Sequence, residues 1–293
     1  LILSLAPHGQ FSRDPIMIRT MLVGLDGSAS SAAAVGLGVG WALRFNALLV
    51  GLGIIDEPAI CRPEPTGIWG SFYKQHRDAH LRADARRQVE GFLEQFARRC
   101  ADAGVPCQTM EDVGCPYEQI LLEAQRFDVT LLGQRPRFHF ETQERDTDTL
   151  RKVLLGGSGP VVVVPEQIPA GCAVLAAYDG SASAVRALQA FRASGLAEGY
   201  EVHVVSAGAD LAAAERHVGR AVEFLRHHAI EAKACPVVTS AAPAEVLLDQ
   251  AQHCGAGLIV MGAYGRSRVR EVLFGSLTRT LLRESSVPLF LCH

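Results

Sequence analysis

No stretch of this sequence is apolar enough for long enough to read as a membrane-spanning helix. The nearest, between Asp26 and Arg44, is mostly Gly, Ala and Ser with a charge at each end. Neither sign of charge dominates. The formal net charge is −3, so nothing draws the chain to nucleic acid or to an anionic membrane. The eight cysteines include no CxxC pair and no zinc-ligand spacing. With no export signal they read as reduced, mostly buried thiols of a cytoplasmic protein. The opening "LILSLAPHGQFSRDPIM" lacks a basic n-region, and its apolar run is too short for a signal peptide. Residues 1–19 read as an extension, with Met17 or Met21 as natural starts. No GxxxxGK[ST] loop is present. No base stands with a nucleophile in motif form, so no catalytic residue is assigned.

What is present is a repeat. At 293 residues with 48% apolar side chains, the chain has room for two domains of ordinary size. "DGSAS" occurs at Asp26–Ser30 and again at Asp179–Ser183, each time after an apolar run and before an alanine-rich stretch. "GCPYEQILLEAQRFDVTLLG" matches "SAAPAEVLLDQAQHCGAGLIVMG" in pattern, and "LLGGSGPVVVVPE" matches "LLRESSVPLFLCH". Each copy reads as strand and helix in alternation, with the strands as continuous Val, Leu and Ile runs. In the second copy they fall near 172–178, 200–206, 231–238, 257–261 and 287–292. Such runs belong to a parallel sheet covered on both faces. The expected fold is α/β: two tandem doubly wound domains, over 20–166 and 167–293, each an open five-stranded parallel sheet.

"DGSAS" is then the turn after the first strand, where doubly wound folds place ligands. For Asp26 a helix-capping role is the plainer reading. Asp179 has company. "GAYGRSRVREVLFGSLTRTLL" follows the strand "AGLIVM" and spaces Gly262, two residues, Gly265, nine residues, Gly275 and Ser276. Glycines let the backbone approach an anion, and a helix start adds free amides and a positive dipole end. Arg266, Arg268 and Arg270 add charge, while Glu271 in the same loop reads as a solvated carboxylate. "GGSG" at Gly156–Gly159 reads as a helix end. His217, His227 and His228 read as a solvated helix face.

On these motifs the chain resembles the universal stress protein family in its tandem form, from about Thr20 onward. The G-x2-G-x9-G-S loop marks the ATP-binding members. The resemblance implies that Asp179 meets a ribose and that Val205 offers adenine a backbone contact. It implies ribose and phosphate contacts at Gly262 and Gly265, and Arg266 joins the nucleotide site by its charge. Gly275, Ser276 and Leu277 become the phosphate cradle.

The first copy departs from the pattern. Pro136 replaces the second glycine, and Thr147–Asp148 stands where Gly275–Ser276 should be. Proline offers no N–H and an aspartate repels phosphate. This half reads as a scaffold that kept the fold and lost the nucleotide, with Asp26 surviving as a cap.

The implied function is a stress-response protein binding ATP or AMP, with or without Mg, in its second domain, without efficient turnover. A second reading is a slow ATPase or autophosphorylating switch with Ser276 or Thr278 as acceptor. A third is a scaffold or small-molecule carrier acting through the 57–77 insertion. There Trp69, Phe72 and Tyr73 suggest a lid or interface, and Pro58, Pro63 and Pro65 limit flexibility without giving helix. The two copies are expected to form an intra-chain pseudo-dimer through Val161–Val164 against Leu289–Cys292, because long apolar edges are usually paired. A further homodimer is left open.

Overall fold

A computed structural model describes residues 17–62, 70–138, 147–263 and 276–293. The first copy runs β1 (Thr20–Leu25), α1 (Ala29–Phe45), β2 (Leu48–Ile55), α2 (Glu57–Ile60), α3 (Gly70–Ala103), β3 (Cys107–Val113), α4 (Pro116–Ala124), β4 (Val129–Gly133), α5 (Thr147–Gly156) and β5 (Val161–Val164). The second runs β6 (Ala173–Ala177), α6 (Ala182–Ser194), β7 (Glu201–Gly208), α7 (Leu211–His227), β8 (Ala232–Val238), α8 (Pro243–His253), β9 (Ala256–Gly262), α9 (Ser276–Glu284) and β10 (Leu289–Cys292). Among the described residues no helix is long and apolar enough to cross a membrane.

The two five-stranded halves join into one ten-stranded sheet, ordered β3-β2-β1-β4-β5-β10-β9-β6-β7-β8. Pairing is parallel within each half. The seam is antiparallel, with Leu289 opposite Val163, Phe290 opposite Val162 and Leu291 opposite Val161. The expected edge pairing is therefore present. The physical reason lies in the two runs "VVVV" and "LFLC", all of whose residues are buried. Left open, either strand would offer an apolar ladder of unpaired N–H and C=O groups. The free edges, β3 and β8, are built differently. They carry Glu111 and Asp112, or Lys233 and Pro236, and stay half-exposed. Proline fits a strand only where one side of the ladder is unused.

Helices cover both faces. One apolar layer under α1, α3, α6 and α7 includes Val23, Phe96, Phe191, Val218 and Phe290. The other, under α4, α5, α8 and α9, includes Leu52, Ile120, Leu175, Leu247 and Leu291. Each such side chain contributes about 1.5–3 kcal/mol by leaving water.

Two expectations need correction. The stretch around 57–77 is partly helical: Glu57–Ile60 forms α2, and residues 70–77 are the first turns of α3. Pro58 sits in the first turn of α2, where the amide it lacks would have no partner in the helix. At 34 residues α3 is twice the length of α7, at 17, so much of the extra sequence is extra helix. Phe72 and Tyr73 are 77% and 74% exposed. Trp69, with Pro63 and Pro65, lies outside the described residues. The thiols are all free as expected, yet only Cys100 and Cys292 are buried. The other six stand at least partly open, because they fall at strand and helix ends or on the half-exposed edge strands.

Candidate nucleotide site

The repeated turn is built alike in both copies. Gly27 and Gly180 take φ of +73° and +74°, a left-handed conformation that glycine adopts without strain. The following serine caps the next helix: Ser28 Oγ accepts the Ser31 N–H at 3.1 Å, and Ser181 Oγ accepts the Ala184 N–H at 3.2 Å. The aspartate closes the turn before the cap. Asp26 Oδ1 accepts from Ser28 N at 2.8 Å, and Asp179 Oδ1 from Ser181 N at 2.9 Å. The capping role expected of Asp26 therefore belongs to Ser28. Asp26 stands two residues too early for its carboxylate to reach the first free helical amides.

Both turns lie at a switch point. β6 sits between β9 and β7, and the chain leaves its C-terminal end in one direction and returns on the other side. A crevice forms there in doubly wound sheets. Asp179 follows β6, and Gly262 ends β9, the strand that pairs with β6. Gly262 has a packing reason to be glycine. A Cβ there would lie 2.6 Å from the Ser183 carbonyl carbon and from Ser183 Oγ, at the start of α6. Gly133 meets Ser30 and Ser31 in the same way. Ser276 opens α9 with its side chain exposed, while Leu277 is half-buried against the core. Val205 is buried inside β7, and its carbonyl accepts the Tyr178 N–H at 2.9 Å. Gly265, Arg266 and Gly275, with Arg268, Arg270 and Glu271, lie outside the described residues.

The first crevice is filled by the chain itself. In the first copy the chain after β4 folds back over the strand ends. Arg137 N donates to Asp26 Oδ2 at 2.6 Å, and Phe138 is 2% exposed, its ring against Gly24 and Leu132. Pro136 is buried as well. Asp26 is consequently buried while Asp179 is exposed. Burial holds the Asp26 carboxyl above its usual range, opposed by the hydrogen bonds from Ser28 and the amide of Arg137. A raised folded-state pKa gives a contribution that is fully present below the unfolded value and lost as pH rises through the folded one. The stability advantage of the native chain over Asp26→Asn should therefore shrink as pH rises above about 4, the range of an ordinary carboxylate. A series of thermal melts checks this, and an advantage that grows with pH would contradict it.

Two further side chains change their standing. Thr278 is 3% exposed and donates its hydroxyl to the Ala263 carbonyl at 2.8 Å, so it is packed away from any phosphoryl donor. His217 does not lie on a solvated face. It is half-buried, with Nδ1 3.4 Å from Ser206 Oγ and its ring edge 3.2 Å from where a Cβ on Gly180 would stand. Phe92 covers Gly27 in the first copy. The signal was available: Ala214, Val218, Ala221 and Leu225 form the buried stripe of α7, and position 217 adjoins it. Tyr178 precedes Asp179. Burial pushes its phenol above the usual range, against the pull of the Arg220 guanidinium.

Two α/β halves joined in one sheet, each with the same aspartate turn at its switch point, define the class. The sequence pattern of the universal stress protein family matches residues 17–165 and again residues 173–293, and the chain belongs to that family. A universal stress protein of Synechocystis sp., Slr1230, is 31% identical over 176 residues, covering 55% of this chain and 56% of that protein. The chain thus matches little more than half the length of that relative. Among solved structures, a universal stress protein from Archaeoglobus fulgidus superposes with a TM-score of 0.71 at 21% identity, over 93% of this chain and 97% of the other. A functionally unknown protein, PA1789, from Pseudomonas aeruginosa gives 0.56 at 17% identity, over 96% and 94%. At these identities the two structures establish the fold.

Proposed function

We propose that the second copy binds one adenine nucleotide, ATP or AMP, at the β6–β9 crevice, in a cytoplasmic sensing or regulatory protein without efficient turnover. The observation that carries this reading is the contrast between two aspartates in the same local turn. Asp26 is buried and accepts the Arg137 amide, whereas Asp179 stands exposed at its strand end. Asp179 then meets the ribose. The backbone at Gly262 and Gly265, the start of α9 at Gly275–Leu277, and Arg266 hold the phosphates. A helix start supplies unpaired amides and favourable dipole charge to such a group. Val205 lies in the strand nearest the adenine. The alternative phosphoryl-acceptor role falls to Ser276, since Thr278 is buried.

Native mass spectrometry of the purified chain should find a single adenine nucleotide per polypeptide, or take one up on addition of ATP. A timed assay should detect little ADP release. A chain that neither carries nor binds nucleotide would overturn the reading in favour of a scaffold. Steady ADP release would favour the slow ATPase.

A further inference from the structure

From the start of β7 to the middle of β8, three side chains stand in a line on one face of the sheet. Parallel pairing places His203 opposite Lys233 and Val205 opposite Cys235. Residues two apart share a face, so Glu201, His203 and Cys235 project together. His203 Nε2 lies 2.7 Å from Glu201 Oε1, and His203 Nδ1 lies 3.8 Å from Cys235 Sγ. Lys233 also binds Glu201, and that contact, first, with His203 second, holds the Glu201 carboxyl below its usual range. The imidazole is well covered, at 15% side-chain exposure, and Cys235 is partly open.

The order of contacts defines roles. In the neutral tautomer that donates Nε2–H to Glu201, Nδ1 carries the lone pair and faces the thiol. A nucleophile within reach of a base, with the base oriented by a third group, is the general signature of an activated nucleophile. Among the described residues no three His, Cys, Asp or Glu side chains gather as metal ligands, so the cluster does not read as a metal centre. Burial pushes the Cys235 thiol up, with Lys233 opposing. Without help the sulfur would keep its proton and react slowly.

We propose that Cys235 is a reactive thiol site, with His203 as its base and Glu201 as the positioning residue, and that it takes small electrophiles, hydroperoxides foremost. The partial cover over the sulfur admits small reagents. In the step with a hydroperoxide, the sulfur attacks the terminal peroxide oxygen. The S–O bond forms as the O–O bond breaks. The thiol proton passes to His203 Nδ1 and then to the departing oxygen. The products are a sulfenic acid and an alcohol, or water when the oxidant is hydrogen peroxide. Sulfur is oxidised by two electrons and the peroxide is reduced by two. Glu201 stabilises the imidazolium formed between.

Cys172, exposed in the linker between the halves, serves as an internal reference. The full chain is treated with hydrogen peroxide, quenched at intervals and alkylated. Site-resolved mass spectrometry then follows the loss of each free thiol. Cys235 should disappear about tenfold faster than Cys172 despite being less open, and His203→Gln should remove that lead. Glu201→Gln, at a half-exposed side chain that a fold tolerates, should slow Cys235 several-fold while leaving Cys172 unchanged. Circular dichroism confirms that both variants are folded. A Cys235 no faster than Cys172, or an unchanged rate in His203→Gln, would overturn the proposal. An unchanged rate in Glu201→Gln would overturn the positioning role.

Discussion

Replacing Asp179 by alanine should weaken nucleotide binding tenfold to a hundredfold, while replacing Asp26 by alanine should leave it unchanged. A carboxylate hydrogen-bonded to a ligand hydroxyl is worth about 1.5–3 kcal/mol, as a charge-assisted bond. Starting from micromolar affinity, roughly 8 kcal/mol, that loss moves the dissociation constant tenfold to a hundredfold. Gly265→Val should do the same by blocking backbone approach to the phosphates. Asp26→Ala acts elsewhere. It strips the acceptor from the Ser28 and Arg137 amides, at about 1–3 kcal/mol for each buried donor left unpaired. That exceeds the loss of a simple helix cap, about 1 kcal/mol. Calorimetric titration of nucleotide-free protein gives both affinity and stoichiometry. Two sites per chain, or an affinity unchanged by Asp179→Ala and Gly265→Val but weakened by Asp26→Ala, would mean the halves are assigned the wrong way round.

A large stability effect is expected at Phe290. Its side chain is fully buried in β10, bonded through the ladder to Val162 on one side and Val260 on the other. Its ring meets Phe191 edge-on, with centroids 6.4 Å apart and planes at 74°. Phe290→Ala removes the packing of a whole ring at the place where both halves share a core, and should cost about 3–5 kcal/mol. Phe72→Ala, at a ring that is 77% exposed, should change stability by no more than about 0.5 kcal/mol. Urea titration of the two variants separates them. Equal midpoints would mean that the seam contributes little to holding the chain together.

The strands were legible because a fully buried parallel strand is written as a continuous apolar run, and "VVVV" against "LFLC" follows from the same rule. The repeat made the second half a check on the first. The helix at 70–77 was not legible. Nearby prolines read as breakers, and a Pro inside the first turn of α2 looks in sequence like a Pro in a loop. The fold-back at Arg137–Phe138 was hidden for another reason. Pro136 announces the lost amide, but the contact that seals Asp26 joins residues 111 apart, and no local pattern carries it. His217 was misread because its charged neighbours on α7 drew attention from the apolar stripe beside it. Of the glycines, Gly262 was legible as special, although the steric demand of Ser183 requires it even before any ligand is considered.

The antiparallel seam sets how this chain can evolve. Two identical units meeting across a twofold axis must accept every substitution twice, once in each partner. Joining the units in one polypeptide releases that constraint while keeping the shared ladder and core. Proline at 136 and the sealed carboxylate of Asp26 then alter one half, leaving Asp179 and its glycines untouched in the other. The partner across the seam is always present and always in equal amount, whatever the protein concentration. One half is free to lose a site and specialise as the structural mate of the other.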